Sequence, residues 1–148
     1  MRAYRDEKLQ VPKKRRLEAE QRALVAYQAA LDRKATDIQV LDLRGLSSIT
    51  DLFLICSAQN ARQMRAIVES IDEGLSEQGV EPLFREGTGE ASWILMDYDD
   101  LVVHVFSDES RQFYNLERLW ARAPRLRKLS GEPLADRNEV ESNPDRAT

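Results

Sequence analysis

The sequence predicts an α/β fold, a compact α/β sandwich in which helices pack on a small mixed sheet. Segments with a helical repeat alternate with short apolar segments of strand length, in the order α-β-β-α-β-β-α. At 148 residues the chain has the length of one domain, and its 42% of apolar residues can supply one core. The sequence therefore indicates a single domain built of two layers.

The first three elements are one helix and two strands. Leu24, Tyr27 and Leu31 are spaced to share one face of a helix. Residues 38–43 then alternate apolar and polar side chains, as a half-buried strand does. Residues 51–56 are almost continuously apolar, which is typical of a short central strand covered on both faces.

The fourth element is a long amphipathic helix over residues 61–78. Its apolar residues recur every three or four positions and form one stripe, made of Met64, Ile67, Val68, Ile71 and Leu75. Asn60 is a residue type that caps helix N-termini, and Gly79 is one that ends helices. The stripe predicts that this helix packs on the sheet, and residues 80–85 are expected to lead into a turn at 86–89.

The last three elements are two strands and a closing helix. Residues 93–97 and 101–106 are separated by three residues, which predicts a hairpin. The closing helix is expected to have Asp108 as its N-cap and to end before Pro124. Helical spacing predicts an inward-facing set of apolar residues on it: Phe113, Leu116 and Trp120.

The two ends of the chain are polar and are expected to lie outside the domain. Residues 1–19 hold a basic run at 13–16 and predict a flexible basic tail. Residues 125–148 are rich in polar side chains and breakers, which predicts a second flexible tail after a domain at 20–124. No apolar run reaches the length of a membrane span and no secretory signal is visible, so the expected location is the cytoplasm.

Charge is distributed unevenly along the sequence. Residues 1–35 carry ten basic and five acidic side chains, whereas residues 36–120 carry six basic and sixteen acidic ones, a net charge of −10. A folded centre of this charge repels nucleic-acid phosphates and attracts a basic protein partner. The alternative is that these acids only keep a small domain in solution.

The sequence offers candidate sites for chemistry, but none is complete. Asp97, Asp99 and Asp100, with Asp51, have oxygen ligands for a divalent metal, although acids around a tight turn also serve as hairpin residues. The single cysteine lies inside an apolar run, which favours a buried structural thiol, and His104 has no adjacent partner that would make it a base. No catalytic residue, metal or other cofactor is therefore predicted.

Five blocks of sequence, taken in order, carry a family resemblance: 34–53, 61–64, 93–98, 103–106 and 113–120. Together they resemble the ribosomal silencing factor family, also called the Iojap family. The last block, Phe-Tyr-Asn-Leu-Glu-Arg-Leu-Trp, is the most distinctive. The resemblance implies a topology similar to that of nucleotidyltransferases without their metal-binding carboxylates. Phe53 agrees with this, because it stands where such an enzyme would place its second carboxylate.

The resemblance also implies a function. A member of this family is expected to be a non-enzymatic factor that binds the large ribosomal subunit through ribosomal protein fourteen. Bound there, it would block association with the small subunit and so repress translation under nutrient limitation. The free protein is expected to be a homodimer. Two alternatives stay open: a divergent metal-dependent nucleotidyltransferase, and an RNA-binding adaptor in which the basic tail contacts rRNA phosphate.

The aromatic and acidic residues of the C-terminal half are the expected contact surface. Desolvated aromatic side chains hold protein complexes together, and acids pair with Arg or Lys of a basic partner. The predicted partner-binding residues are Trp93, Asp97, Tyr98, Asp100, His104, Tyr114 and Glu117. Trp93 fits the core as well as the contact surface, whereas Phe113 and Trp120 are assigned to the core.

Overall fold

The computed structural model describes residues 13–87 and 91–134, with side chains from residue 18 onward. The main elements are α1 (Lys13–Asp32), β1 (Thr36–Asp42), β2 (Leu52–Ala58), α2 (Ala61–Glu77), β3 (Phe84–Glu86), β4 (Trp93–Asp97), β5 (Leu101–Ser107), α3 (Asp108–Tyr114), α4 (Leu116–Leu119), β6 (Lys128–Leu129) and β7 (Glu132–Pro133). The predicted elements are all present. The strand β3, the division of the closing helix and the pair β6–β7 are additions to the predicted order.

The five main strands form one mixed sheet in the order β1-β2-β5-β4-β3. The central pair β2 and β5 is parallel, with Leu54 opposite Val103, and the other neighbouring strands are antiparallel. The predicted hairpin forms between β4 and β5. Helices α1 and α2 pack against each other and against the same face of this sheet. The predicted α/β sandwich with a small mixed sheet is therefore confirmed.

Helix α2 matches its prediction from the sequence in its buried face and in its caps. The five residues of its predicted apolar stripe are its five buried residues. The Asn60 side chain accepts a hydrogen bond from the Gln63 N–H at 2.8 Å, which satisfies one of the free donors of the first turn. The chain leaves the helix at Gly79 with φ 77°, a backbone conformation that glycine adopts at little cost.

The main core lies between the two long helices and the sheet. Alternate residues of the strands point into it, such as Leu54 on β2, Ile94 on β4 and Val103 on β5. Cys56 is buried there, and this burial raises the pKa of its thiol to about 12. The thiol is therefore protonated at neutral pH, as expected of a structural cysteine.

The closing helix differs from its prediction. Ser107, rather than Asp108, caps α3, because its hydroxyl oxygen accepts a hydrogen bond from the Ser110 N–H at 3.1 Å. The helix is interrupted at Asn115, which has φ 46°. Phe113 was assigned to the core and is instead 80% exposed, because the interruption separates it from the inward-facing residues that follow.

The described fold extends past both expected domain boundaries. Helix α1 begins at Lys13, within the expected tail, and residues 1–12 and 135–148 lie outside the described part of the chain. Past residue 124, the Leu126 N–H donates to the Val40 carbonyl at 2.8 Å, and Leu129 is fully buried against the main core. The described fold therefore continues to Leu134. Among its helices, none has the length and apolarity needed to cross a bilayer.

Candidate partner-binding face

The sheet has a second face, opposite α1 and α2, which we call the outer face. On β5, Val103 and Val105 point toward the helices, so His104 and Phe106 point to the outer face. The register places Trp93 of β4 opposite Phe106, and Ile55 of β2 opposite His104. The helices α3 and α4 cover part of this face through Leu116 and, just after α4, Trp120. Residues 93–120 thus contribute aromatic side chains from two strands and the closing helices to one surface.

Aromatic rings on the outer face form a continuous contact network. Trp93 stacks on Phe106 with ring centroids 4.9 Å apart, and Tyr114 of α3 lies 4.6 Å from Trp93. Phe53 meets His104 edge to face at 4.5 Å and Trp120 at 6.0 Å. Such contacts stabilise aromatic pairs beyond the area they bury, so these rings hold one another in place.

His104 is a buried, neutral member of this network. Its Nδ1 accepts a hydrogen bond from the Trp93 Nε1–H at 3.1 Å. Because an indole can only donate, Nδ1 carries no proton and the neutral ring has its proton on Nε2. Burial lowers the pKa of His104 to about 3, since there is little solvent to stabilise the imidazolium. His104 therefore orients Trp93 and presents no charge at neutral pH.

Several apolar side chains project from this region into solvent. Leu119 of α4 is 72% exposed and Tyr114 is 48% exposed, next to the exposed Phe113. At the edge of the sheet formed by β3, Phe84 is 52% exposed and lies opposite Asp97 on the outer face. Neighbouring apolar groups left open to water mark a surface that another molecule covers.

Acidic groups accompany these aromatic side chains. Asp97 is half-buried on the outer face, and its carboxylate accepts a hydrogen bond from the Asp99 N–H at 2.8 Å. Asp108 and Glu109 occupy the first turn of α3, where the helix dipole stabilises negative charge. The combination of open aromatic area and carboxylates can bind a surface that is both apolar and basic.

Three of the predicted contact residues lie in the interior. The Tyr98 hydroxyl donates to Asp72 Oδ1 at 3.1 Å, and burial together with Asp72 raises the pKa of Tyr98. Asp100 forms an ion pair with Arg22 of α1 at 3.0 Å, on the helix side of the sheet. Like His104, these two residues are at most 8% exposed, so none of the three presents contact area in this structure.

The remaining four predicted residues differ in how accessible they are. Trp93 and Asp97 are half-buried and Tyr114 is exposed, so each has surface open to solvent. Glu117 is engaged internally, because its Oε2 accepts a hydrogen bond from Arg111 Nε at 3.0 Å. The structure thus brings Trp93 and Tyr114 together, whereas Glu117 forms an ion pair with Arg111.

Among the described residues, the carboxylates considered for a metal site do not form a group of three, although Asp51 lies near Asp100. Asp97 caps the hairpin turn and Asp100 pairs with Arg22, while Asp51 is buried. Phe53 fills the position of a second carboxylate and packs against aromatic rings. Within 13–87 and 91–134, no three or more His, Cys, Asp or Glu side chains are placed to hold a metal ion.

The chain was compared with known proteins. The model of a family described as "Ribosomal silencing factor during starvation" matches residues 16–148. A ribosomal silencing factor of Bacillus subtilis is 43% identical over 100 residues, which cover 68% of this chain and 85% of that one. The chain belongs to the ribosomal silencing factor family. The predicted resemblance is confirmed.

More distant relatives and solved structures agree with this family. The chloroplastic protein Iojap of Zea mays is 38% identical over 101 residues, covering 68% of this chain and 44% of that one. A crystal structure of a Chromobacterium violaceum protein superposes with a TM-score of 0.65 at 33% identity, covering 68% of this chain and 84% of that one. A Bacillus halodurans structure gives 0.62 at 38% identity, covering 70% and 94%. The names of the silencing-factor relatives describe regulators of the ribosome rather than enzymes.

Two arginines that support α4 were not identified from the sequence. Arg111 of α3 binds Glu117, and Arg125 donates to the carbonyl oxygens of Glu117, Trp120 and Ala123 at 2.9 to 3.2 Å. Carbonyl groups at a helix end lack partners within the helix, so Arg125 satisfies them. The one available sequence signal was Asn115, a residue type that tolerates left-handed backbone and caps helices.

Proposed function

We propose that this protein binds the large ribosomal subunit through ribosomal protein fourteen and blocks association with the small subunit. Translation would then fall when nutrients are limited. The observation that supports this most directly is the outer face, where exposed Phe113 and Tyr114 adjoin Trp93. Leu119 of α4 is also exposed, and Asp97 lies on the same face at the other end of β4. Family membership supplies the ribosome as the setting, and the face supplies a surface suited to a protein partner.

Aromatic side chains explain how such a complex would be held. Trp and Tyr are enriched among the few interface residues that contribute most binding energy. Trp93 is fixed by its hydrogen bond to His104 and by stacking on Phe106, so it loses little freedom when a partner covers it. Trp93 and Tyr114 are therefore the proposed central contacts, with Phe113 beside them.

Electrostatics favours a basic partner. Residues 36–120, which form most of the fold, carry a net charge of −10. Ribosomal proteins are generally basic, and opposite net charges accelerate association. Asp97 is the proposed acidic contact, whereas Glu117 acts through Arg111. His104 is proposed to support the face by orienting Trp93, whereas Tyr98 and Asp100 are buried on the helix side of the sheet and make no contact in this proposal.

The proposal also covers the oligomeric state of the free protein and its location in the cell. Exposed aromatic side chains are a liability in a monomer, so a homodimer that covers them is the proposed free form. A factor that acts on ribosomes would work where they assemble, in the cytoplasm. The N-terminal tail at residues 1–19, with its basic run at 13–16, is the proposed segment for a weak contact with rRNA.

Sedimentation with separated ribosomal subunits tests the proposal. The protein is expected to move with large subunits, and light scattering is expected to show slower joining when small subunits are added. Phe113→Ala should weaken sedimentation about tenfold or more without lowering the melting temperature, because Phe113 is mostly exposed. Unchanged sedimentation of this variant would exclude the outer face, and absence of the wild type from large subunits would refute the function.

A matched pair of charge variants tests the acidic contact. Asp97→Asn keeps an oxygen that can accept the Asp99 N–H and removes only the charge. Asp32→Asn removes the same charge at the exposed end of α1. We expect the first to slow association with large subunits and the second to leave it within twofold. Equal effects would mean that net charge, rather than a contact at Asp97, governs binding.

Two further experiments on the purified protein distinguish the two alternative functions. A nucleotidyltransferase would release or absorb heat when titrated with magnesium and a nucleotide, and we expect no such heat. An RNA-binding adaptor would lose affinity for RNA when the basic run at 13–16 is replaced by glutamines, and its binding would fall steeply with salt. The run is replaced, rather than the whole tail to residue 19 deleted, because Ala19 of α1 is buried in the core.

A further inference from the structure

Arg111 is a buried cation at the junction of α3, α4 and the sheet. Its Nη1 donates to the Asp37 carbonyl at 2.6 Å and to Ser57 Oγ at 2.9 Å, while its Nε donates to Glu117. Asp37 belongs to β1, Ser57 to β2 and Glu117 to α4, so one side chain joins three other elements. A lysine would have to reach all three acceptors from one nitrogen, whereas the planar guanidinium reaches them from two.

The pair of Arg111 and Glu117 depends on the interruption at Asn115. In a continuous helix, residues six positions apart point about 120° away from each other, so their side chains would not meet. The Asn115 N–H donates to the Arg111 carbonyl, and its side-chain oxygen accepts from the Arg118 N–H. Asn115 thus ends one helix and begins the next.

The interruption places Asn115 in a backbone conformation that most residues avoid. Residues other than glycine are uncommon in the left-handed region, which Asn and Asp tolerate best. Asp37, with φ 50°, is a second residue with positive φ, next to an irregularity in the pairing of β1 with β2. Both residues form hydrogen bonds with Arg111. The Arg111 guanidinium donates to the Asp37 carbonyl, and the Arg111 carbonyl accepts from the Asn115 N–H.

The interruption determines which side chains reach the proposed partner. After the interruption, Leu116 and Trp120 pack on the buried residues of the outer face, while Leu119 points to solvent. Before it, Phe113 and Tyr114 are exposed beside Trp93. An uninterrupted helix would have placed Phe113 on the inward side with Leu116 and Trp120, as its spacing in the sequence predicts.

We propose that Arg111 is a positioning residue for partner binding, because it holds α3 and α4 in the arrangement that presents Phe113 and Tyr114. This role rests on the proposed function, since it needs the outer face to be the binding surface. Holding the two helices before the partner arrives reduces the conformational entropy lost on binding. Arg111 itself touches no partner, because it is buried.

The test compares Arg111→Lys with Arg22→Lys. Both variants replace a guanidinium that is paired with a carboxylate, but Arg22 pairs with Asp100 on the helix side of the sheet. Hydrogen–deuterium exchange of residues 113–120 is measured without ribosomes, and sedimentation with large subunits is measured separately. For Arg111→Lys we expect at least tenfold faster exchange in this segment and at least tenfold weaker binding. For Arg22→Lys we expect neither change.

A second pair of variants covers the case in which Arg111→Lys does not fold. Asn115→Gly permits the left-handed backbone and should retain binding within about threefold, whereas Asn115→Ala favours a continuous helix and should weaken it at least tenfold. Unchanged exchange in Arg111→Lys, or faster exchange with unchanged affinity, would overturn the positioning role. Equal affinities of the two Asn115 variants would also overturn it. A wild-type protein that does not sediment with large subunits would instead refute the proposed function.

Discussion

Acidification should destabilise this protein through His104, and the size of the effect follows from its burial. His104 is the only histidine in the chain. Its pKa is lowered from 6.5 to about 3 in the folded state, so below pH 6.5 the unfolded chain binds a proton that the folded chain refuses. The contribution to stability is therefore complete above pH 6.5 and is lost progressively as the pH falls toward 3. Between pH 7 and pH 5 the loss amounts to about 2 kcal/mol.

Urea unfolding of the wild type and of His104→Phe at pH 7, 6 and 5 measures this effect. Far-UV circular dichroism is the suitable probe, because Trp93 touches His104 and its fluorescence would respond to protonation itself. All other titrating groups are shared by the two proteins, so the difference between their pH slopes isolates His104. We expect the wild type to lose about 2 kcal/mol more than the variant. Equal slopes would show that the pKa of His104 is the same in the folded protein and in the unfolded chain, and that the argument from burial is wrong.

Three further substitutions test the fold. Asn60→Ala removes the cap of α2 and should lower the free energy of unfolding by about 1 kcal/mol in urea. Gly87→Ala should lower the melting temperature clearly more than Gly79→Ala, since a Cβ at Gly87 would lie 2.6 Å from the Trp93 carbonyl oxygen and one at Gly79 would meet nothing; equal losses would contradict this. Leu129→Ala should cost about 2 to 5 kcal/mol because Leu129 is fully buried, whereas Leu83→Ala, at a side chain that is 73% exposed, should cost less than about 0.5 kcal/mol. A small loss for Leu129→Ala would mean that β6 and β7 do not belong to the core.

The parts of the fold that the sequence predicted are those with a strong local signal. Helix α2 buries one stripe, so its apolar residues recur at the helical period and its caps stand at the right positions. Strand β3 has three residues, all exposed, so no alternation of burial could be reflected in its sequence. The segment 125–134 has few apolar residues, and its order depends on distant contacts such as Leu126 with Val40.

The candidate face was predicted as a region and only partly as residues. Both faces of the central strands are covered, so alternation along β5 could not show that His104 lies beneath Trp93. Phe113 was misassigned because its spacing with Leu116 fits a continuous helix, and the interruption depends on contacts of Arg111 with residues far away in sequence. Local periodicity carries no information about such contacts.

The two edges of the sheet are not equivalent. Beyond β1, the chain returns antiparallel, and the Asp42 N–H donates to the Pro124 carbonyl at 2.8 Å while Arg125 lies opposite Leu41. At the opposite edge, β3 pairs with β4 alone among the described residues. The edge at β3 is therefore open to a strand from another molecule, whereas the β1 edge is occupied from Val40 to Asp42 by the chain itself. If two copies paired through β3, each would keep only this partly covered edge, which disfavours further growth into a fibre.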